Sequence, residues 1–169
     1  HVPTYTAKRI GCILSGAWSP KAYPLRTFLI RRYRALPETY WHPHPGYQSK
    51  VCHTPAYLNL LSQFKIAICT SSRYGYSLRK IIEATACGCR VITDLPVDDV
   101  LPRIDKNLIR VSTKKDIKFI RSLVKDSIDS YNPEFQEHMA KEAVDYYDWR
   151  VAGLRLRNSI QYLKDSYNE

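Results

Sequence analysis

Residues 65 to 96 constrain the fold more than any other stretch, because two short apolar runs flank a single helical repeat. Ile66, Ala67, Ile68 and Cys69 form a run of strand length, followed by the hydroxyl pair Ser71–Ser72 and a loop containing Gly75. Leu78, Ile81, Ile82 and Ala86 then recur at helical spacing, and Gly88 is placed to stop that helix in the left-handed conformation. Val91–Ile92 opens a second apolar run. A strand–loop–helix–strand unit of this kind builds parallel sheets, since the crossover helix returns the chain to the start of a neighbouring strand. The loop after the first strand carries Ser71, Ser72, Arg73, Ser77, Arg79 and Lys80. Hydroxyls, cations and the free amides of a helix start together suit a phosphate, with Ser71, Ser72, Ser77 and the amides around Tyr76 as its cradle.

The flanking sequence extends the pattern. Arg9 to Leu14 reads as a first strand, and Ser15–Pro20 as its C-terminal loop, where Gly16 would let the backbone approach a ligand. Pro24 suits a first helical turn, and Leu25, Phe28, Leu29, Tyr33 and Leu36 then share one face. Glu38 to Trp41 leads into a short second strand, and the proline-rich 42–46 segment cannot be a central one. Thr54–Pro55 starts a short helix through Tyr57, Leu60 and Leu61, and Leu108 to Val111 reads as a fifth strand. Ser112 or Thr113 is placed to cap a helix over 116–125, and 133–167 reads as one or two helices anchored by Trp149, Leu154 and Ile160. The pattern predicts one α/β domain over residues 1–169: a three-layer, Rossmann-like parallel sheet flanked by helices and closing with C-terminal helices.

Charge is placed unevenly along the chain. Residues 1–82 hold twelve Lys and Arg against the single acid Glu38, whereas residues 83–169 hold fourteen bases and fifteen acids. Such a field attracts anions: a nucleotide diphosphate, a nucleic acid or an acidic partner. No run of 18 apolar residues is present, so no transmembrane helix is expected. The five cysteines (Cys12, Cys52, Cys69, Cys87 and Cys89) are odd in number and irregular in spacing, which favours free thiols in a reducing, cytoplasmic setting over a disulfide framework.

The segment Glu83-Ala84-Thr85-Ala86-Cys87-Gly88, ending a helix before a strand, resembles the donor-binding half of GT-B glycosyltransferases. Within that class the chain is similar to glycosyltransferase-like proteins related to the spore-maturation protein CgeB. The similarity lies at Tyr23-Pro24-Leu25-Arg26, His44-Pro45-Gly46-Tyr47 and Thr70-Ser71-Ser72-Arg73-Tyr74, and spans about residues 8 to 165. One position departs: where many retaining members carry a loop glutamate eight residues before the helix glutamate, this chain has Gly75. The resemblance implies transfer of a sugar from a nucleoside diphosphate donor, with no metal and no further cofactor. It also implies a second, N-terminal acceptor-binding domain, for which 169 residues leave no room.

In doubly wound sheets ligands bind at the C-terminal ends of the strands, which gathers loops 15–24, 42–48 and 71–80 into one crevice. By resemblance, Glu83 would accept hydrogen bonds from the donor's ribose, and His44 and Tyr47 would line the base pocket. Lys21 and Arg26 would bind the diphosphate as it leaves. Arg73, Arg79 and Lys80 are further candidates for neutralising it, with Arg26, Arg79 and Lys80 stabilising the leaving group; Arg79 and Lys80 diverge by about 100° on a helix, so at least one faces solvent. No catalytic base is assigned. His42, His44, Cys52 and His53 could ligate zinc, but their spacing matches no standard finger. Asp94, Asp98 and Asp99 follow the fourth strand and could meet sugar hydroxyls or form turns. Two other functions fit the sequence: a basic nucleic-acid-binding α/β domain, against which the absence of any recognised nucleic-acid motif argues, and a structural domain that kept the fold and lost the chemistry.

Overall fold

The computed structural model describes residues 9–43, 54–112 and 116–166. Five strands form one parallel sheet: β1 (Ile10–Gly16), β2 (Thr39–Pro43), β3 (Phe64–Ile68), β4 (Arg90–Thr93) and β5 (Leu108–Arg110), in the order β2-β1-β3-β4-β5. Cys12 pairs with Thr39 on one side and Ile66 on the other, and Ile68 lies between Leu14 and Ile92. The predicted α/β, Rossmann-like architecture is therefore the observed one.

Strand order dictates where the helices go. The chain steps one way from β1 to β2, then returns past β1 to β3 and continues outward. Right-handed crossovers then require α1 (Pro24–Ile30) on one face, and α2 (Thr54–Leu61) and α3 (Arg79–Ala86) on the other. The core has this division. Leu25 and Leu29 of α1 join Ile120 and Val124 of α4 (Ile117–Asp129) over Cys12, Leu14, Ile66 and Ile68. Leu58, Leu61, Ile81, Ala84 and Ala143, the last from α5 (Pro133–Tyr147), pack over Ile13, Ala67 and Val91. Successive strand residues point to opposite faces, so both layers draw on the same apolar runs.

Several boundaries move from their sequence positions. The helix from Pro24 ends at Ile30, and Tyr33–Ala35 is a 3₁₀ turn that still delivers a buried Leu36. β2 runs on through Pro43, which an edge strand tolerates because its outer amides need no ladder partner. Asp116, not Ser112, caps α4: one carboxylate oxygen accepts from the amides of Lys118 (2.9 Å) and Phe119 (3.1 Å), and the helix runs on to Asp129; Thr113 lies outside the described residues. Ser77 caps nothing; α3 starts at Arg79 behind an extended Leu78 with no side-chain cap. Gly88 does end α3, at φ 79°, with its amide on Thr85 O (2.8 Å) and the Cys89 amide on Ala84 O (2.9 Å), the paired bonds of a Schellman motif. Arg9 is buried and braces this corner, donating to Phe64 O (3.0 Å) and Cys87 O (2.6 Å).

The last helix, α6 (Trp149–Ser166), contradicts its sequence reading. None of its residues is buried, and Trp149, Leu154 and Ile160 are 79%, 50% and 47% exposed, so they anchor nothing. Both sheet faces are already covered, which leaves a sixth helix no open face to dock on. Arg155 ties it to α5, donating to Tyr146 O (2.5 Å) and lying 3.7 Å over the Tyr146 ring. No described helix is long and apolar enough to cross a membrane.

Candidate functional site

The strand order reverses between β1 and β3, and in open sheets of this kind the C-terminal ends of the strands at the reversal are where ligands bind. Three residues from three elements meet there. Gly16 ends β1 at φ 123°, a conformation that L side chains avoid. A Cβ on Gly16 would stand 2.7 Å from Arg26 Nη1 and 3.2 Å from Lys80 Nζ, so the glycine also makes room for two cations. Arg26, on the first turn of α1, is 2% exposed. Its Nε donates to Thr70 Oγ1 (3.0 Å) and its Nη2 to Thr70 O (3.1 Å), while the guanidinium lies 4.0 Å over the Tyr23 ring. Lys80, on the first turn of α3, reaches Ser15 Oγ at 3.5 Å and lies 5.1 Å over Tyr57, whose hydroxyl is 2.6 Å from the same Ser15 oxygen.

Among the described residues the two cations lack a bonded counterion. Neither forms a salt bridge among the described residues. Burial pulls the pKa of each below its ordinary value, and for Lys80 the neighbouring Arg26 pulls the same way. Cys69 and Tyr57 stand close, but burial pushes the Cys69 thiol up to about 12 and the Tyr57 phenol higher still, so both are neutral near pH 7. Asp94 faces Arg26, but its Oδ1 already accepts from the Ser71 amide at 2.6 Å. The amides of Arg79 and Lys80, at the uncapped start of α3, have no backbone acceptor among the described residues. Two half-paired cations beside open helix-start amides have the chemistry that suits an anion.

The remaining predicted residues divide. Ser71 and Ser72 are buried and internally bonded: Ser71 Oγ donates to Ser72 O (3.1 Å), and Ser72 Oγ accepts from the Tyr74 amide (3.2 Å). The Ser77 amide donates to Asp99 Oδ2 at 3.0 Å. The loop is thus shaped by Asp94 and Asp99, which tie its two ends to the chain after β4. Arg73 is exposed and donates to Tyr74 Oη (2.6 Å), Tyr76 is 53% exposed, and Lys21 is exposed in the turn before α1. Arg79 turns outward, 72% exposed, and pairs with Glu83 (Nε to Oε1, 2.6 Å). Glu83 lines a groove of about 690 Å³ with Leu58, Ile82, Tyr147 and Trp149, and Lys80 one turn earlier feels its charge. His42 stacks on Tyr57 with ring centroids 5.9 Å apart, linking β2 to the site. His44, Tyr47, Cys52 and His53 lie outside the described residues.

Sequence reading missed Thr70, Ser15 and Tyr57, the polar partners that orient the two cations. Tyr57 sits inside a helical apolar repeat and reads as core; only its hydrogen bond with Ser15, at the end of β1, reveals a second role. No protein-family model matches this chain, and a search of curated proteins finds no match.

Proposed function

We propose that this chain is a nucleotide-sugar-binding domain of a GT-B-like glycosyltransferase, with Arg26, Lys80, Gly16 and the start of α3 receiving the donor's diphosphate. The observation that carries the reading is the convergence of two partly buried cations on Gly16 at the strand-order reversal, with no carboxylate among the described residues bonded to either. In sugar transfer the bond from the anomeric carbon to the diphosphate breaks, and negative charge grows on the departing oxygen. Cations already fixed beside that oxygen stabilise the developing charge without reorganising, which lowers the barrier. Thr70 and Tyr23 hold Arg26 in that role, and Ser15 and Tyr57 hold Lys80. Glu83, released from Arg79, would meet the ribose. The acceptor and the catalytic base would come from a second domain. Four buried unpaired cysteines suit a reducing, cytoplasmic setting.

Thermal unfolding across a panel of nucleoside diphosphates, nucleotide sugars and inorganic pyrophosphate tests the proposal. A ligand at a hundred times its Kd adds about 2.7 kcal/mol, or roughly 5–10 °C for a chain of this size. Diphosphates raise the melting temperature of the native chain and not of Arg26→Gln; a panel with no shift, or one that Arg26→Gln leaves intact, refutes the proposal. A second reading rests on three surface pairs: Arg31 over Trp18 (5.4 Å), Arg32 over Phe28 (4.3 Å) and Arg34 over Tyr33 (5.9 Å). Cations stacked on aromatics suit single-stranded nucleic acid, and such binding falls steeply with salt without discriminating among donor sugars.

A further inference from the structure

Helix α6 carries a feature that the diphosphate site does not use. At about 100° per residue, Trp149, Ala152, Leu156, Ile160 and Leu163 fall on one stripe along its whole length. The large members are exposed by 79% (Trp149), 64% (Leu156), 47% (Ile160) and 54% (Leu163). Val151 and Arg155, the partly covered residues of the helix, lie on another side, toward α5. Past Trp149, which edges the groove beside Glu83, the stripe therefore points away from the domain. Beside it runs a second row, Arg150, Arg157 and Lys164, spaced seven residues apart and so aligned along the helix. Arg150 also pairs with Asp148 just outside the helix, while α6 itself holds four bases against one acid, Asp165.

An apolar stripe flanked by a basic row, on a helix too polar to span a bilayer, has the composition of a helix lying in a lipid–water interface. Indole and aliphatic groups enter the acyl boundary, and the neighbouring bases meet anionic headgroups. We propose that α6 docks this domain on an anionic membrane surface. A second copy of the chain fits less well: paired α6 helices would set basic rows against each other with almost no acid to answer them. A coiled-coil partner fits less well too, since 18 residues give under three heptads and the register that seats Leu156, Ile160 and Leu163 puts Gly153 in the seam.

Co-sedimentation of the whole chain with vesicles tests this, comparing pure phosphatidylcholine with a mixture holding about a third phosphatidylglycerol. The chain binds the anionic vesicles and leaves the neutral ones, and binding weakens as salt rises. Leu156→Ser and Ile160→Ser each lower partitioning about tenfold, and Arg157→Gln and Lys164→Gln each about fivefold. These side chains are exposed, so circular dichroism of the variants stays native. Absence of binding to anionic vesicles at low salt overturns the proposal. Binding unchanged by the four substitutions does so as well, as does a concentration-dependent dimer or an acidic protein complex that the stripe substitutions dissolve in place of vesicle binding.

Discussion

Lys80→Met should make the empty protein more stable and the ligand site useless. Arg26 Nη1 and Lys80 Nζ lie 2.7 Å and 3.2 Å from the same point, so the two charges stand under about 6 Å apart. At that distance, with the effective dielectric between that of a protein surface and water, the repulsion is about 1–3 kcal/mol. The substitution also ends the cost of desolvating the ammonium, which is what lowers the pKa of Lys80. What it forfeits is small: a 3.5 Å contact to Ser15 Oγ and a cation–π contact over Tyr57, worth about 0.5–1 kcal/mol. Methionine fills the same channel with a flexible apolar chain. The net expectation is a gain of about 1–2 kcal/mol, seen as a melting temperature higher by about 2–8 °C. A charge-assisted bond to the anion is lost in exchange, weakening diphosphate binding by about 10- to 100-fold. Urea unfolding and calorimetric titration of the same two proteins supply both numbers. A variant less stable than the parent that still binds diphosphate equally well would show that Lys80 is a structural cation, and the reasoning about the site would collapse.

Diphosphate affinity should fall as pH rises through the lowered pKa of Lys80, that is, before an ordinary lysine at 10.5 would lose its proton. The sign for the empty protein is opposite: the unfolded chain holds that proton to higher pH, so the Lys80 contribution to stability rises with pH over the same window. Affinity that stays flat to pH 11 would contradict this. Arg9→Ala should cost about 2–4 kcal/mol in urea unfolding, because it leaves the Phe64 and Cys87 carbonyls without their charged donor; a loss below about 0.5 kcal/mol would rule out the brace. Burial raises the thiols of Cys12, Cys69 and Cys87 to about 12 and that of Cys89 well above normal, so at most one of five thiols should react rapidly with a disulfide reagent in the native protein.

The fold was legible where apolar period alone decides it. The runs at Ile66 and Val91 and the repeat between them gave β3, α3 and β4 nearly to the residue, with Gly88 as the stop. Period fails at caps, which depend on single geometries: Asp116 displaced its neighbours because its carboxylate reaches two amides at once. It also fails at α6, whose apolar stripe has the spacing of a core helix though no sheet face is left to cover it. At the site, Arg26 and Lys80 were readable as cations on the first turns of helices that follow strands. Their convergence on Gly16 was not readable, because it arises from strand order. The hydroxyls of Ser71 and Ser72 suggested a cradle from composition, but Asp99, more than twenty residues away, binds the Ser77 amide beside Tyr76 that the cradle would have used, and Asp94 holds the Ser71 amide.

Calorimetric titration of inorganic pyrophosphate, and of the nucleoside diphosphate that ranks first in the thermal panel, into the native chain and into Arg26→Gln and Gly16→Val tests the central claim most directly. The account predicts saturable binding at one site in the native chain, tighter for the nucleotide, and lost in both variants: the first removes a cation, the second pushes a side chain into the space between Arg26 and Lys80. Binding that survives both substitutions, or a native chain that takes up no diphosphate at all, would contradict it.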